Sequence, residues 1–225
     1  MSLALAIIGL LVLAACAPFP FGAPGYQQPY NFSPGTGRGM GPGMMGGGWG
    51  SYNPNTIPDA KPINIDQAAD AVRLYLNAYG GKLVLTEVMD FAWNYYAEVE
   101  ETDTGIHAIE LLIDKYNGRV YPEMGPNTMW NTKYGHMAGM MGGQFGTPTV
   151  DMPVSPEQAK NLAQRYLDTN LRGLTVAEVD TFYGYYTLHT LKNGLVEGML
   201  SVNGYTGAVW YHNWHGPFID MKDFE

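Results

Sequence analysis

Apolar positions follow regular periods in two stretches of the chain, about residues 59–121 and 154–216, and lose them elsewhere. Ala68, Ala71, Val72, Tyr75 and Leu76 recur at i, i+3, i+4, i+7 and i+8, as do Ala159, Leu162, Ala163, Tyr166 and Leu167. That spacing predicts one amphipathic helix near the start of each stretch. Asn64-Ile65-Asp66-Gln67 and Ser155-Pro156-Glu157-Gln158 precede the two runs. Each offers an N-cap oxygen with a glutamine three residues on, the sequence of a capping box. Downstream the residues turn β-branched and aromatic, predicting strands over 83–91, 92–101 and 106–114. Turns are expected at Thr102-Asp103-Thr104-Gly105 and Asn117-Gly118, before a short strand, Arg119-Val120-Tyr121. Lys192-Asn193-Gly194 and Thr206-Gly207 supply the matching turns of the second stretch.

The two stretches read as copies of one unit. At an offset of 91, Gln67, Ala68, Tyr75, Leu76, Leu83, Glu87, Val88, Phe91 and Tyr95 match Gln158, Ala159, Tyr166, Leu167, Leu174, Glu178, Val179, Phe182 and Tyr186. After a two-residue gap, Gly105, Leu111, Tyr116, Gly118 and Val120 match Gly194, Leu200, Tyr205, Gly207 and Val209. A period near 90 is too long for a solenoid, which points to domains. The expected fold class is α+β: two small repeats, each one helix packed on a three- to four-stranded antiparallel sheet. One sheet face is expected to be buried and the other wet.

Outside these units the composition changes. Residues 17–58 hold 11 Gly and 8 Pro with Arg38 as the only charge, which predicts a flexible tether. A second poor segment, 122–153, reads as a Gly/Met-rich linker, and 217–225 as a C-terminal tail. Residues 1–15 hold an uncharged apolar run too short to span a bilayer, with the length of a signal-peptide h-region. Leu13-Ala14-Ala15-Cys16 resembles a bacterial lipobox, which implies cleavage before Cys16, lipidation of Cys16 and residues 16–58 as the tether. No Lys or Arg precedes the run, a departure from the usual n-region. The expectation is an extracytoplasmic protein, periplasmic or on the cell surface, attached to a membrane through its lipid.

The segments Ile109-Glu110-Leu111-Leu112-Ile113-Asp114-Lys115-Tyr116-Asn117-Gly118-Arg119-Val120-Tyr121 and Gly198-Met199-Leu200-Ser201-Val202-Asn203-Gly204-Tyr205-Thr206-Gly207-Ala208-Val209-Trp210 are similar to the last hairpin of the PepSY domain. Asp114 stands where that family often has an acidic residue before the turn; Asn203 replaces it in the second unit. The resemblance implies a non-enzymatic envelope module that binds another envelope or secreted protein, with peptidase inhibition or regulation as its typical use. It carries no catalytic residues across.

Charge and candidate chemistry refine this picture. A formal charge of −9 argues against nucleic acid as a partner. A single cysteine rules out an intrachain disulfide and a cysteine zinc cluster. Nine of the 13 methionines lie in the two poor segments, where a core filler is not expected. His136, Met137, Met140 and Met141 combine an imidazole with three thioethers, a soft set suited to Cu(I). Met40, Met44 and Met45 form a poorer set. His212 and His215 are a separate metal candidate in a turn, where solvent exposure or aromatic stacking is expected. Glu98, Glu100, Glu101 and Asp103 read as a solvated strand face. Copper handling is therefore the second expected function, and packing into a surface structure the third.

Overall fold

A computed structural model describes residues 61–136, 138 and 147–224. Cys16, the methionines at 40, 44 and 45, and Met137, Met140 and Met141 lie outside the described residues, as does the segment expected to be the signal peptide and tether. Helix α1 spans Ile65–Leu76 and carries the complete capping box, with Asn64 and Gln67 each bonding the other's backbone N–H. The later long helix spans Pro156–Asn170 and starts the same way, through Ser155 and Gln158. Strands β1 (Leu83–Phe91), β2 (Tyr95–Glu101), β3 (His107–Ile113) and β4 (Val120–Pro122) follow α1. A four-residue helix α2 (Pro126–Met129) precedes the capped α3 (Pro156–Asn170). After α3 come β5 (Leu174–Phe182), β6 (Tyr185–Lys192), β7 (Leu195–Asn203), β8 (Val209–Tyr211) and β9 (Phe218–Asp223).

Local bonds recur at equivalent positions in the two halves. Tyr95 donates to the carbonyl of Ile63, and Tyr186 to that of Val154. The Asp114 carboxylate accepts from the amides of Tyr116 and Asn117, and the Asn203 side-chain oxygen from those of Tyr205 and Thr206. An Asx turn needs an acceptor oxygen and no charge, so asparagine serves where the first half has aspartate.

The strands do not form two small sheets. They join in one nine-stranded, mostly antiparallel sheet ordered β8-β7-β6-β5-β3-β2-β1-β9, with β4 also on β3. A single parallel pairing, His107 with Phe182, links the halves. β9, within the expected tail, pairs with β1 over Glu87–Phe91. Ile219 and Met221 alternate with charged residues there, a pattern too short and polar to stand out.

The outer face of the sheet carries the helices. Ala68, Ala69, Val72 and Leu76 of α1 pack on Leu85, Val99, Leu111 and Ile113. Ala159, Ala163 and Leu167 of α3 pack on Leu188, Leu200 and Val202. The other face was expected to be wet, and the structure corrects this. Glu87 of β1 lies 3.5 Å from His189 of β6. Four strand spacings separate those strands, about 19 Å in a flat sheet. The sheet therefore curls, bringing the inner faces of its halves together around a buried polar seam. Met89, Phe91, Tyr96, Leu112 and Met199 form the apolar part of that interior.

Residues 122–136, placed in the expected linker, cover part of this inner face. Asn127 bonds the backbone amide and carbonyl of Glu110, and Asn131 donates to the carbonyl of Ala108. Gly184, at φ +100°, lets Trp130 approach: a Cβ there would lie 2.3 Å from the Trp130 carbonyl oxygen.

Candidate functional site

The seam runs across inward-facing positions of β1, β2, β3, β6 and β7. Glu110 is fully buried at its centre. Its carboxyl meets three hydroxyls, Tyr96 at 2.8 Å, Tyr185 at 2.8 Å and Thr187 at 2.7 Å. Tyr96 also lies 2.7 Å from Glu98. A phenol has one proton, so one of the two carboxyls must itself be a donor. Burial, reinforced by the charges of Glu123 and Glu98, holds the Glu110 proton well above the usual carboxylate range. Glu110 thus gives its proton to Tyr96, whose own proton goes to Glu98. Burial would raise Glu98 too, but the hydrogen bond and charge of His107 outweigh it and lower its pKa.

The end of the seam near Glu98 holds charged pairs. His107 Nδ1 is 3.1 Å from Glu98, and its Nε2 lies 3.4 Å from Glu100 and 3.6 Å from Asp180. Burial disfavours both imidazolium ions, yet the carboxylates around them raise His107 and His189 to about 9. Glu98 lies within ligand range of both histidines, forming one group with His107 and Asp180 and another with Glu87 and His189. In their protonated form the two rings sit as ion pairs among these carboxylates. The expectation of a solvated acidic face fails at Glu98 and Glu101, which are buried. Glu101 accepts from Lys133, Tyr134, Tyr183 and Thr104. The curl of the sheet and the 122–136 segment remove them from water, and neither is visible in strand alternation. Asp103 is exposed, as expected.

The opposite end of the seam is built differently. Thr187 bonds Ser201 at 3.0 Å, and Ser201 bonds His212 Nε2 at 2.9 Å. His215 Nδ1 lies 2.9 Å from the side-chain oxygen of Asn94. Both histidines, expected in a solvent-facing turn, are buried against Glu123. His212 Nδ1 is 3.6 Å and His215 Nε2 3.0 Å from Glu123 Oε1, which accepts from Trp214 at 2.9 Å. The expected aromatic stacking is present, since His212 stacks on Trp214 and His215 on Phe91. Burial drives His212 well below its ordinary value and His215 to about 3, so both rings are neutral. Burial also raises Glu123 to about 8.

Of the copper set, His136 is exposed and its three methionine partners lie outside the described residues. Glu123 was missed by sequence reasoning. The offset of 89 that aligns the second parts of the two units places Glu123 opposite His212. Equivalent positions of the two halves thus meet across the seam, a pairing that internal alignment could have suggested.

Comparisons with known proteins add little. No protein family and no curated protein matches the chain. Among solved structures, the Bacillus megaterium YpeB C-terminal domain matches at 14% identity, covering 67% of this chain and 62% of that one, with a TM-score of 0.24. The match thus spans less than two thirds of that protein's length, and a likeness of this size does not define a shared fold. The class defined by the geometry is α+β, one curled sheet enclosing a buried polar seam.

Proposed function

We propose that the folded part is a non-catalytic binding module of the cell envelope, formed by two PepSY-like copies fused through one sheet. It takes an extended segment of a protein partner along β9. The observation that carries this reading is that, among the described residues, one side of β9 has no strand beside it. That strand ends the order of the sheet and pairs with β1. Ile219 on β9 and Trp93 in the β1–β2 turn are 57% and 61% exposed, and Trp93 rests on Gly216 just before β9. An edge with unpaired amides supplies main-chain bonds to an added strand, and neighbouring apolar side chains supply selectivity. The buried seam takes the inner sheet face out of docking, and of the two ends of the sheet, β8 and β9, the exposed Ile219 and Trp93 favour β9.

A photo-crosslinker at Ile219 of the mature protein, activated in native envelopes, should give one discrete protein adduct that Trp93→Ala weakens at least several-fold. A crosslinker at Leu74, which is still more exposed on α1, should not give that adduct. Identical labelling from both positions, or none from 219, overturns the reading. A peptidase is one partner class implied by the PepSY resemblance, and an adduct to a second copy of the chain would favour the structural role instead.

The lipid anchor belongs to the same proposal. Among the described residues no helix is long and apolar enough to cross a membrane, and attachment through Cys16 rests on the lipobox-like sequence. Cys16→Ser is expected to release the protein from the membrane fraction; retention of the variant there would remove the anchor. Copper handling by His136, Met137, Met140 and Met141 rests on residue chemistry alone.

A further inference from the structure

We propose that Glu123, His212 and His215 form a buried structural site for one divalent transition-metal ion of the zinc class. Its donor chemistry differs from that of the methionine clusters. The argument begins with unsatisfied atoms. Among the described residues, Glu123 Oε2, His212 Nδ1 and His215 Nε2 are buried with no hydrogen-bond partner. The three side chains are between 0% and 2% exposed. A buried polar atom left without a partner costs about 1–3 kcal/mol, and here three converge, with potential ligand atoms all within 4.8 Å of one another.

All three atoms are acceptors if the remaining ring nitrogens carry the protons, and the surroundings arrange that. His215 Nδ1 faces the Asn94 side-chain oxygen, an acceptor, so Nδ1 holds the proton and Nε2 presents its lone pair. His212 Nε2 faces Ser201, which Thr187 also bonds, so Nε2–H can donate there and leave Nδ1 bare. Fixing the tautomer through the far nitrogen is how metal-binding histidines are oriented. The protonated Glu110 can donate to Glu123, but the two ring nitrogens still face Glu123 Oε1 with no proton between them. A single cation satisfies all three.

Distance and donor type agree. Two ligands bound at 2.0–2.1 Å to a tetrahedral ion sit about 3.4 Å apart. It is Glu123 Oε1, the carboxylate oxygen that also accepts from Trp214, that lies 3.0 and 3.6 Å from the two histidine nitrogens, which brackets that value. Two imidazoles and a carboxylate suit zinc and its neighbours, whereas Cu(I) favours thioethers. The ion would bind Glu123, just past β4, to the segment joining β8 to β9, and so clamp the two halves of the chain together.

The test uses the mature protein, stripped with chelator and titrated with Zn(II). One zinc per chain should survive gel filtration, and X-ray absorption should show two imidazoles, at least one oxygen and no sulfur. His212→Gln and His215→Gln should abolish stoichiometric binding. Asn94→Ala and Ser201→Ala, which remove the partners of the far nitrogens, should weaken it by about 10–100-fold. Replacing His136, Met137, Met140 and Met141 together should leave it unchanged. Absence of retained zinc in the wild-type chain overturns the site, as does a sulfur shell or undiminished binding in the His212/His215 double variant. The absorption spectrum of the wild-type protein decides the matter even where a variant does not fold.

Discussion

Glu110→Ala should lower unfolding stability by about 2–4 kcal/mol, read as a drop in the urea midpoint at unchanged slope. The hydroxyls of Tyr96, Tyr185 and Thr187 would lose a shared partner, and the cut side chain would leave a void between the halves of the sheet. Glu110→Gln is the informative companion. Because Glu110 keeps its proton in the folded state, a neutral amide of the same shape retains most of the arrangement. It should cost about 1–2 kcal/mol. Equal losses for the two variants would mean that Glu110 is charged, contrary to the proton order derived for the seam. A loss below about 1 kcal/mol for alanine would mean that the seam contributes little.

The second large effect is on pH. His107 and His189 are raised to about 9 in the folded protein, against about 6.5 when unfolded. Their contribution to stability is fully present below pH 6.5 and fades as pH climbs through 9. Each would contribute about 3 kcal/mol at most, at 1.36 kcal/mol per pKa unit. Glu110, also raised, and Glu123, raised to about 8, act with the same sign, Glu123 over the lower part of that window. His212 and His215, lowered by burial, oppose this slope only near pH 6.5, where the unfolded rings still hold protons, and add none well above it. The metal-free protein should therefore lose several kcal/mol between pH 6.5 and 9 in denaturant titrations. The His107→Gln, His189→Gln double variant should show a shallower profile, its remaining slope carried by Glu110 and Glu123. An unchanged slope in that variant would place the responsible protons elsewhere.

Much of the secondary structure was legible because it rests on local chemistry. The capping boxes at Asn64 and Ser155, the strands over 83–91 and 107–113, and the Asx turns at Asp114 and Asn203 all follow from residues a few positions apart. What escaped depends on distant residues. Alternation in β2 puts Glu98 on the face opposite Val99, but only the approach of β6 makes that face interior. His212 and His215 are charged-looking turn residues until Glu123, Asn94 and Ser201 surround them. β9 has too few apolar residues to announce itself, and its place is fixed by β1. The candidate site was therefore visible as two histidines and not as a constellation.

The pairing of β9 with β1 also has a consequence for how the chain reaches its native state. Asn94 and His215, which meet beside that pair, are 121 positions apart. A loop of that length costs roughly 2 kcal/mol more to close than one of ten residues, and contacts so remote slow folding. Ribosomal synthesis delivers β1 early and β9 last. Until the final strand arrives, the amides of β1 stay open to any other extended chain. Collapse before β9 is made would leave that edge of β1 uncovered and open to pairing with other chains.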